Sequence, residues 1–320
     1  MRRDVEIQAP IVRKVRAPAF ALRAQDIVLT SAALLGAGLM IFFGRSTPGW
    51  RSAAATFLAV AAMPIAGRLA HRRWPGEPSR FLATIVPPAV GIILMYSQLD
   101  PLVDRLNPHL ADPRLAQLDH AIFGFAPGLW LERQLPSQLL TVLFAFYTSY
   151  YVWPVLVGLV LFSRRARGER DCDRFILGYV LVMLGSYLGY GLVPAIGPRF
   201  FLIDQVDGPV AATALGRWLN ELYRGAPYFR DCFPSGHTAL TLYCLYESRR
   251  LGLKLFWVML VPGTGLIVAT LACRFHYAID VVCGPVLTVT AIFAADALHA
   301  RLPKLTLARP RLATLSRADR

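Results

Sequence analysis

The chain reads as an all-α, polytopic transmembrane helix bundle of about eight spans. Three observations predict this. Of its 320 residues, 55% are hydrophobic and only 17% are charged, with a mean hydropathy of +0.46, whereas an ordinary soluble domain carries about a quarter charged residues. The apolar residues fall in blocks, several of which reach the length of about 17–25 residues that a membrane-crossing helix needs. Lysine and arginine collect in alternate gaps between those blocks, as the positive-inside rule requires.

Spans are predicted near 27–43, 53–70, 81–98, 139–162, 175–194, 236–248, 255–273 and 277–297. Ahead of the first lie Arg2, Arg3, Arg13, Lys14, Arg16 and Arg23, and no small-x-small cleavage pattern follows Phe43 before Pro48. That block is therefore read as a retained anchor, not a cleaved signal. Prolines interrupt the second block (Pro64) and the third (Pro87, Pro88), and the sixth block is the shortest. Between the third and fourth, residues 99–138 mix Pro101, Pro108, Pro113, Pro127 and Pro136 with Ile122, Phe123, Phe125, Leu129 and Trp130. That mixture predicts short helices at the membrane interface, where aromatic rings are well placed. A second long gap, 195–234, carries Trp218, Tyr223 and Tyr228.

A net charge of +14 and a pI near 10.1 would suggest nucleic-acid binding in a soluble chain. The placement of the charge argues otherwise. With Arg68 counted alongside the loop that follows it, 24 of the 34 basic residues fall in the two tails and in the gaps after the second, fourth and sixth spans. Both termini are thus predicted to be cytoplasmic, the bilayer is the expected partner, and no nucleic acid is expected. Arginine outnumbers lysine 31 to 3 and alanine is abundant, a habit of GC-rich bacterial genomes that suggests a bacterial inner membrane.

Five cysteines, Cys172, Cys232, Cys244, Cys273 and Cys283, contain no CxxC pair and no zinc-ligand spacing. Cys232 and Cys273 fall on the predicted outer side. Two unlinked thiols are the expectation, with a disulfide as the alternative in an oxidising compartment.

Polar residues at membrane depth are costly and mark function by default. Three groups of them emerge on one predicted face: Arg199; Ser235, Gly236 and His237; and Arg274, His276 and Asp280. A lone histidine at a membrane edge more often lines a pore or an interface, and a lone arginine can snorkel to lipid headgroups. Their joint occurrence on one face favours a site. His276 and Asp280, four residues apart, would share a helix face, and the carboxylate would fix the imidazole tautomer. Arg274 at a helix start would join a guanidinium to free backbone N–H groups suited to phosphate oxygens. Ser235 is a favourable N-cap, Gly236 would let a phosphate approach the backbone, and His237 could act as acid or base. A metal site built from His237, His276 and Asp280 is conceivable, but the arginines would repel the ion. A Ser-His-Asp hydrolase lacks its G-x-S-x-G elbow.

These residues resemble the type 2 phosphatidic acid phosphatase (PAP2) superfamily, whose motifs read K-x6-R-P, P-S-G-H and S-R-x5-H-x3-D. Pro234-Ser235-Gly236-His237 matches the second motif, and Arg274, His276 and Asp280 match the third with one residue between arginine and histidine. Arg199 takes the arginine place of the first, with Leu192 where the lysine would stand and Phe200 in place of proline. The R-x-H-Y-x-x-D form resembles the branch holding inositol-phosphorylceramide and sphingomyelin synthases. The resemblance implies a six-helix catalytic membrane domain over 80–297, two additional N-terminal helices within 27–79, and basic cytoplasmic tails at 1–26 and 298–320. It also implies catalysis without a metal or other cofactor. His276 would attack phosphorus with Asp280 assisting, and His237 would protonate the leaving alcohol. Arg199, Ser235, Gly236 and Arg274 would hold the phosphate oxygens.

The implied function is a lipid-phosphate phosphatase or phosphotransferase acting on the periplasmic face, with lipid phosphates or phospholipids as substrates. Water as acceptor makes it a hydrolase; an alcohol or lipid hydroxyl makes it a headgroup transferase. A non-catalytic transporter or scaffold is the alternative from another class, and the D-G-x-x-A-R pattern of CDP-alcohol phosphotransferases is missing.

Overall fold

The computed structural model describes residues 21–164, 168–202, 213–224, 230–302 and 305–306. Most of both basic tails lies outside the described residues, as do Tyr228 and the side chain of Tyr223. The described chain is helical, apart from a two-residue antiparallel ladder between β1 (Ala21–Leu22) and β2 (Leu305–Thr306).

Helices α1 (Ala24–Phe43) and α2 (Trp50–Arg73) pack as a hairpin. The third predicted span is two helices, α3 (Glu77–Thr84) and α4 (Val86–Tyr96). Pro87 and Pro88 lie in the first turn of α4, where the missing N–H groups need no intrahelical partner. The long gap folds as predicted into short helices: α5 (Leu99–Leu106), α6 (Asp112–Phe123) and α7 (Pro127–Gln134). Ile122, Phe123 and Trp130 are exposed on them, as is Phe125 in the turn between α6 and α7. The fourth span is α8 (Ser137–Thr148) and α9 (Val152–Ser163), joined through a 3₁₀ turn at Ser149–Tyr151. It is followed by α10 (Gly168–Leu192), then by the short α11 (Pro198–Phe201) and α12 (Ala214–Arg224). The last three helices are α13 (Gly236–Arg250), α14 (Leu255–Ala272) and α15 (Ala278–Arg301).

Seven of these units are long and apolar enough to cross a membrane: α1, α2, α3–α4, α8–α9, α10, α14 and α15. The predicted sixth span is different. Helix α13 has 15 residues, about 22 Å at 1.5 Å per residue, and buries Thr238, Thr241, Glu247 and Ser248. It packs against α9, α10, α14 and α15, so its polar groups face protein and not lipid. That is why its sequence is not apolar like its neighbours'.

One end of the bundle is tied by buried ion pairs. Arg68 on α2 donates through Nε to Asp26 on α1 at 2.7 Å, with the two side chains 6% and 2% exposed. Arg23 and Gln25, at the start of α1, both reach Asp173 on α10. Arg174 on α10 bridges Glu247 at the end of α13 and Asp296 near the end of α15. Asp26, Asp173 and Glu247 are buried and each meets a guanidinium, which the low dielectric demands, while Asp296 is half exposed.

Replacing Asp26 with alanine strands the Arg68 charge and should cost about 3–5 kcal/mol of stability. The double change Asp26→Leu/Arg68→Met should recover most of it. Thermal unfolding of the purified protein in detergent checks both, and an Asp26→Ala protein as stable as the parent would contradict the role given to the pair.

Candidate active site

The site lies at the other end of the bundle, where α10 ends and α13 and α15 begin. Asp112 and Asp119 are seven residues apart on α6, two helical turns, and so share one face. Both are buried. Asp112 accepts from the backbone N–H of Ile196 (3.0 Å) and Gly197 (2.9 Å) and from the hydroxyl of Tyr277 (3.0 Å). Asp119 accepts from the N–H groups of Ala278 (2.7 Å) and Ile279 (2.9 Å), the first residues of α15. Burial raises the pKa of both acids, and the donated hydrogen bonds oppose that rise. Helix α6 is thus a bracket that holds the turn after α10 and the start of α15 together.

Backbone bonds join the remaining loops to this bracket. Ala111 N donates to Pro194 O (2.7 Å), Cys232 N to Ala195 O (3.1 Å), Arg199 N to Arg274 O (2.7 Å) and Ser235 N to Asp280 O (3.2 Å). Gly197 has φ +86°, and a Cβ there would sit 2.6 Å from Phe275 O, so only glycine fits. Arg199, Ser235 and Arg274 are thereby drawn from distant sequence to one end of the fold.

The acid and the two histidines meet here. His276 Nε2 is 3.3 Å from His237 Nδ1. On the other side of its ring, His276 Nδ1 faces Asp280 Oδ2 at 3.6 Å. Oδ2 also accepts from Tyr277 N (2.9 Å) and from the Cys232 thiol (2.8 Å), while the buried Oδ1 has no hydrogen-bond partner among the described residues. Burial, with the Asp280 charge beside it, pushes the Cys232 thiol pKa well up, so this sulfur is a neutral donor here. His237 is stacked on Tyr147 (centroids 4.5 Å apart, 22° between planes) and meets Tyr150 in a tilted contact (4.2 Å, 39°). Those tyrosines flank the start of the 3₁₀ turn that interrupts the fourth span.

Arg274 adopts φ 60° and is 2% exposed. Its Nε lies 2.7 Å from Glu132 Oε2 on α7, and its Nη1 has no hydrogen-bond partner among the described residues. Arg199 donates to Cys273 O (3.3 Å) and lies over the rings of Phe144 and Phe275.

Several expectations change. His276 and Asp280 do not share a helix face: Tyr277 is the N-cap of α15 in extended conformation, so His276 precedes the helix and meets Asp280 across its first turn. The first N–H groups of α15 are not free for a phosphate, because Asp119 occupies those of Ala278 and Ile279. Ser235 is the N-cap of α13, as expected, accepting from Thr238 N at 3.2 Å. Gly236, however, has a packing reason: a Cβ there would meet the Tyr190 hydroxyl at 2.7 Å and the Ser186 Oγ at 3.0 Å, both on α10. Cys232 and Cys273 are separate thiols, the first on Asp280 and the second 3.8 Å from Leu140 O.

Two facing histidines, a buried aspartate and two arginines thus gather at one end of a bundle of apolar, membrane-length helices. The family model described as the PAP2 superfamily matches residues 113–294, from α6 to near the end of α15. The chain belongs to that superfamily, and membership supports a phosphatase or phosphotransferase type of function. No curated protein and no solved structure matched the chain.

Replacing Asp119 with alanine leaves two buried N–H groups at the start of α15 without an acceptor, which should cost about 1–3 kcal/mol for each such group. Asp119→Asn, retaining one carbonyl oxygen, should lose less. The order of the thermal midpoints, parent above Asn above Ala, is the check.

Proposed function

We propose that the protein is an integral membrane lipid-phosphate phosphatase working through a phosphohistidine on His276. The single observation that carries this reading is the line Asp280–His276–His237. One imidazole nitrogen faces a buried carboxylate, and the other faces a second imidazole at 3.3 Å.

In this mechanism, Asp280 keeps the Nδ1 proton of His276 in place so that Nε2 carries the attacking lone pair. Nε2 bonds to phosphorus as the ester P–O bond breaks, and His237 gives its proton to the departing alkoxide. His237 then takes a proton from water, whose oxygen attacks the phosphohistidine. The P–N bond breaks, and phosphate leaves with both histidines restored. Charge on the three non-bridging oxygens is met by Arg274, whose Nη1 has no hydrogen-bond partner among the described residues, with Arg199 beside it; such groups contribute several kcal/mol to phosphoryl transfer.

The 3.3 Å contact between the histidines describes a resting state. A phosphoryl group between them needs about 3–3.5 Å from nitrogen to phosphorus and a further hydrogen-bonded oxygen, a nitrogen–nitrogen separation on the order of 6 Å. Substrate therefore displaces the His237–His276 contact.

Transfer to an alcohol is the second reading, favoured by the single residue between Arg274 and His276. Both readings place the site on the non-cytoplasmic face, on the charge asymmetry of the loops. Purified protein given radiolabelled phosphatidate, isoprenyl diphosphate and phosphatidylinositol, with and without alcohol acceptors, separates them. Free phosphate means hydrolysis; a new labelled lipid means transfer. His276→Ala and Asp280→Asn should abolish turnover, and His237→Gln should lower it by about 10²–10⁴-fold. Normal activity in His276→Ala would refute the phosphohistidine.

A further inference from the structure

Three different donor atoms converge behind the catalytic imidazole. Cys232 Sγ, His276 Nδ1 and Asp280 Oδ2 all lie within 4.8 Å of one another, and all three residues are buried. A tetrahedral zinc with bonds of about 2.3 Å to sulfur and about 2.0–2.1 Å to nitrogen and oxygen holds its ligand atoms roughly 3.3–3.6 Å apart. The protein already holds sulfur and nitrogen at 3.6 Å and nitrogen and oxygen at 3.6 Å. Only the sulfur–oxygen pair, hydrogen-bonded at 2.8 Å, is too close, and opening it takes less than an ångström (about 0.7 Å). A small rotation of the cysteine side chain provides that.

We infer that Cys232, His276 and Asp280 form a binding site for a zinc-class divalent cation, and that occupancy inhibits the enzyme. The ion replaces the thiol proton, which leaves to solvent as the metal–sulfur bond forms and the S–H···Oδ2 bond is lost, and it displaces the Nδ1 proton of His276, which moves to Nε2 so that the imidazole binds as a neutral ligand. A thiolate and a carboxylate then cancel the 2+ charge, so the occupied site is neutral, as a buried cluster must be. The nearby guanidinia do not prevent this: Arg274 is matched by Glu132, and Arg199 lies over the Phe144 and Phe275 rings. His237, the histidine considered for a metal alongside His276 and Asp280 on sequence grounds, lies on the Nε2 side of His276 and is not part of this set.

Inhibition follows from which nitrogen the ion takes. Nδ1 is the position whose proton Asp280 holds in the proposed mechanism. A metal there occupies the carboxylate and leaves the imidazole proton on Nε2, which then has no lone pair with which to attack phosphorus. This consequence rests on the phosphohistidine reading; the binding itself does not.

The test is therefore spectroscopic. Cobalt(II) titrated into the purified protein in detergent should bind at one ion per chain and give a thiolate-to-cobalt charge-transfer band. The band should vanish in Cys232→Ser and persist in Cys283→Ser. X-ray absorption of the zinc-loaded parent protein should show one sulfur neighbour, a measurement that needs no variant. No stoichiometric binding, no sulfur neighbour, or a band that survives Cys232→Ser would overturn the site. With the band established, chelator-reversible loss of phosphate release supports the inhibitory role, and full activity of the zinc-loaded enzyme refutes that role.

Discussion

The carboxylate of Asp119, seated under the first turn of α15, is the contact on which the site's geometry depends. It accepts from Ala278 and Ile279 N–H, and so fixes both the axis and the rotation of the helix that carries Asp280. From there, Asp280 orients itself by accepting from Tyr277 N, and the chain before Tyr277 turns back to bring His276 alongside. The arrangement answers a strict demand. At the end of a membrane bundle, buried N–H groups without partners are too costly to leave, and here a negative group on an interfacial helix satisfies them. The carboxylate also suits the positive end of the helix dipole.

The two ends of the bundle solve the same electrostatic problem differently. At the far end, guanidinium–carboxylate pairs are closed on themselves: Arg68 with Asp26, and Arg174 with Glu247 and Asp296. Those contacts tie α1 to α2 and α10 to α13 and α15, and Arg23 and Gln25 on Asp173 join the start of α1 to α10. At the site end, satisfaction is left incomplete, with Arg274 Nη1 and Asp280 Oδ1 both buried and without hydrogen-bond partners among the described residues. The rigid end makes the open end affordable, because α10, α13 and α15 run through both. The polarity of α13 follows from this position. A helix that ends in Glu247 at one pole and begins beside His237 at the other must be wrapped in protein, not lipid.

Much of this was legible in the sequence because it follows from long-range averages. Block length located the long spans within a few residues, except that α10 begins seven residues before the predicted 175, and the short helices of the first long gap followed from its prolines and aromatics. Ser235 as N-cap, and the pairing of His276 with Asp280, were readable from local motifs. What was not readable depends on contacts between segments far apart in sequence. Glu132 meets Arg274 across 142 positions, and Cys232 reaches Asp280 across 48; neither spacing carries a local signal. The seven-residue interval between Asp112 and Asp119 was the one available hint, since two acids on one helix face beside an apolar stripe ask for donors. The misplacement of His276 on α15 has a simple cause. A four-residue interval fits a helix face and a helix start equally well, and only the backbone of Tyr277 distinguishes them.

The interruption at Ser149–Tyr151 has a consequence for how this protein can vary. Tyr147 stacks on His237 and Tyr150 meets it at a tilt, and both contacts depend on the rotation accumulated along the fourth span. Each residue of helix contributes about 100°. Changes of residue type on the outward side of α8 and α9 leave that angle alone. The gain or loss of a single position between Tyr147 and Tyr150 would swing one ring away from the imidazole. This stretch should therefore tolerate substitution in descendants of the chain while rejecting insertions and deletions, a constraint on length and not on composition.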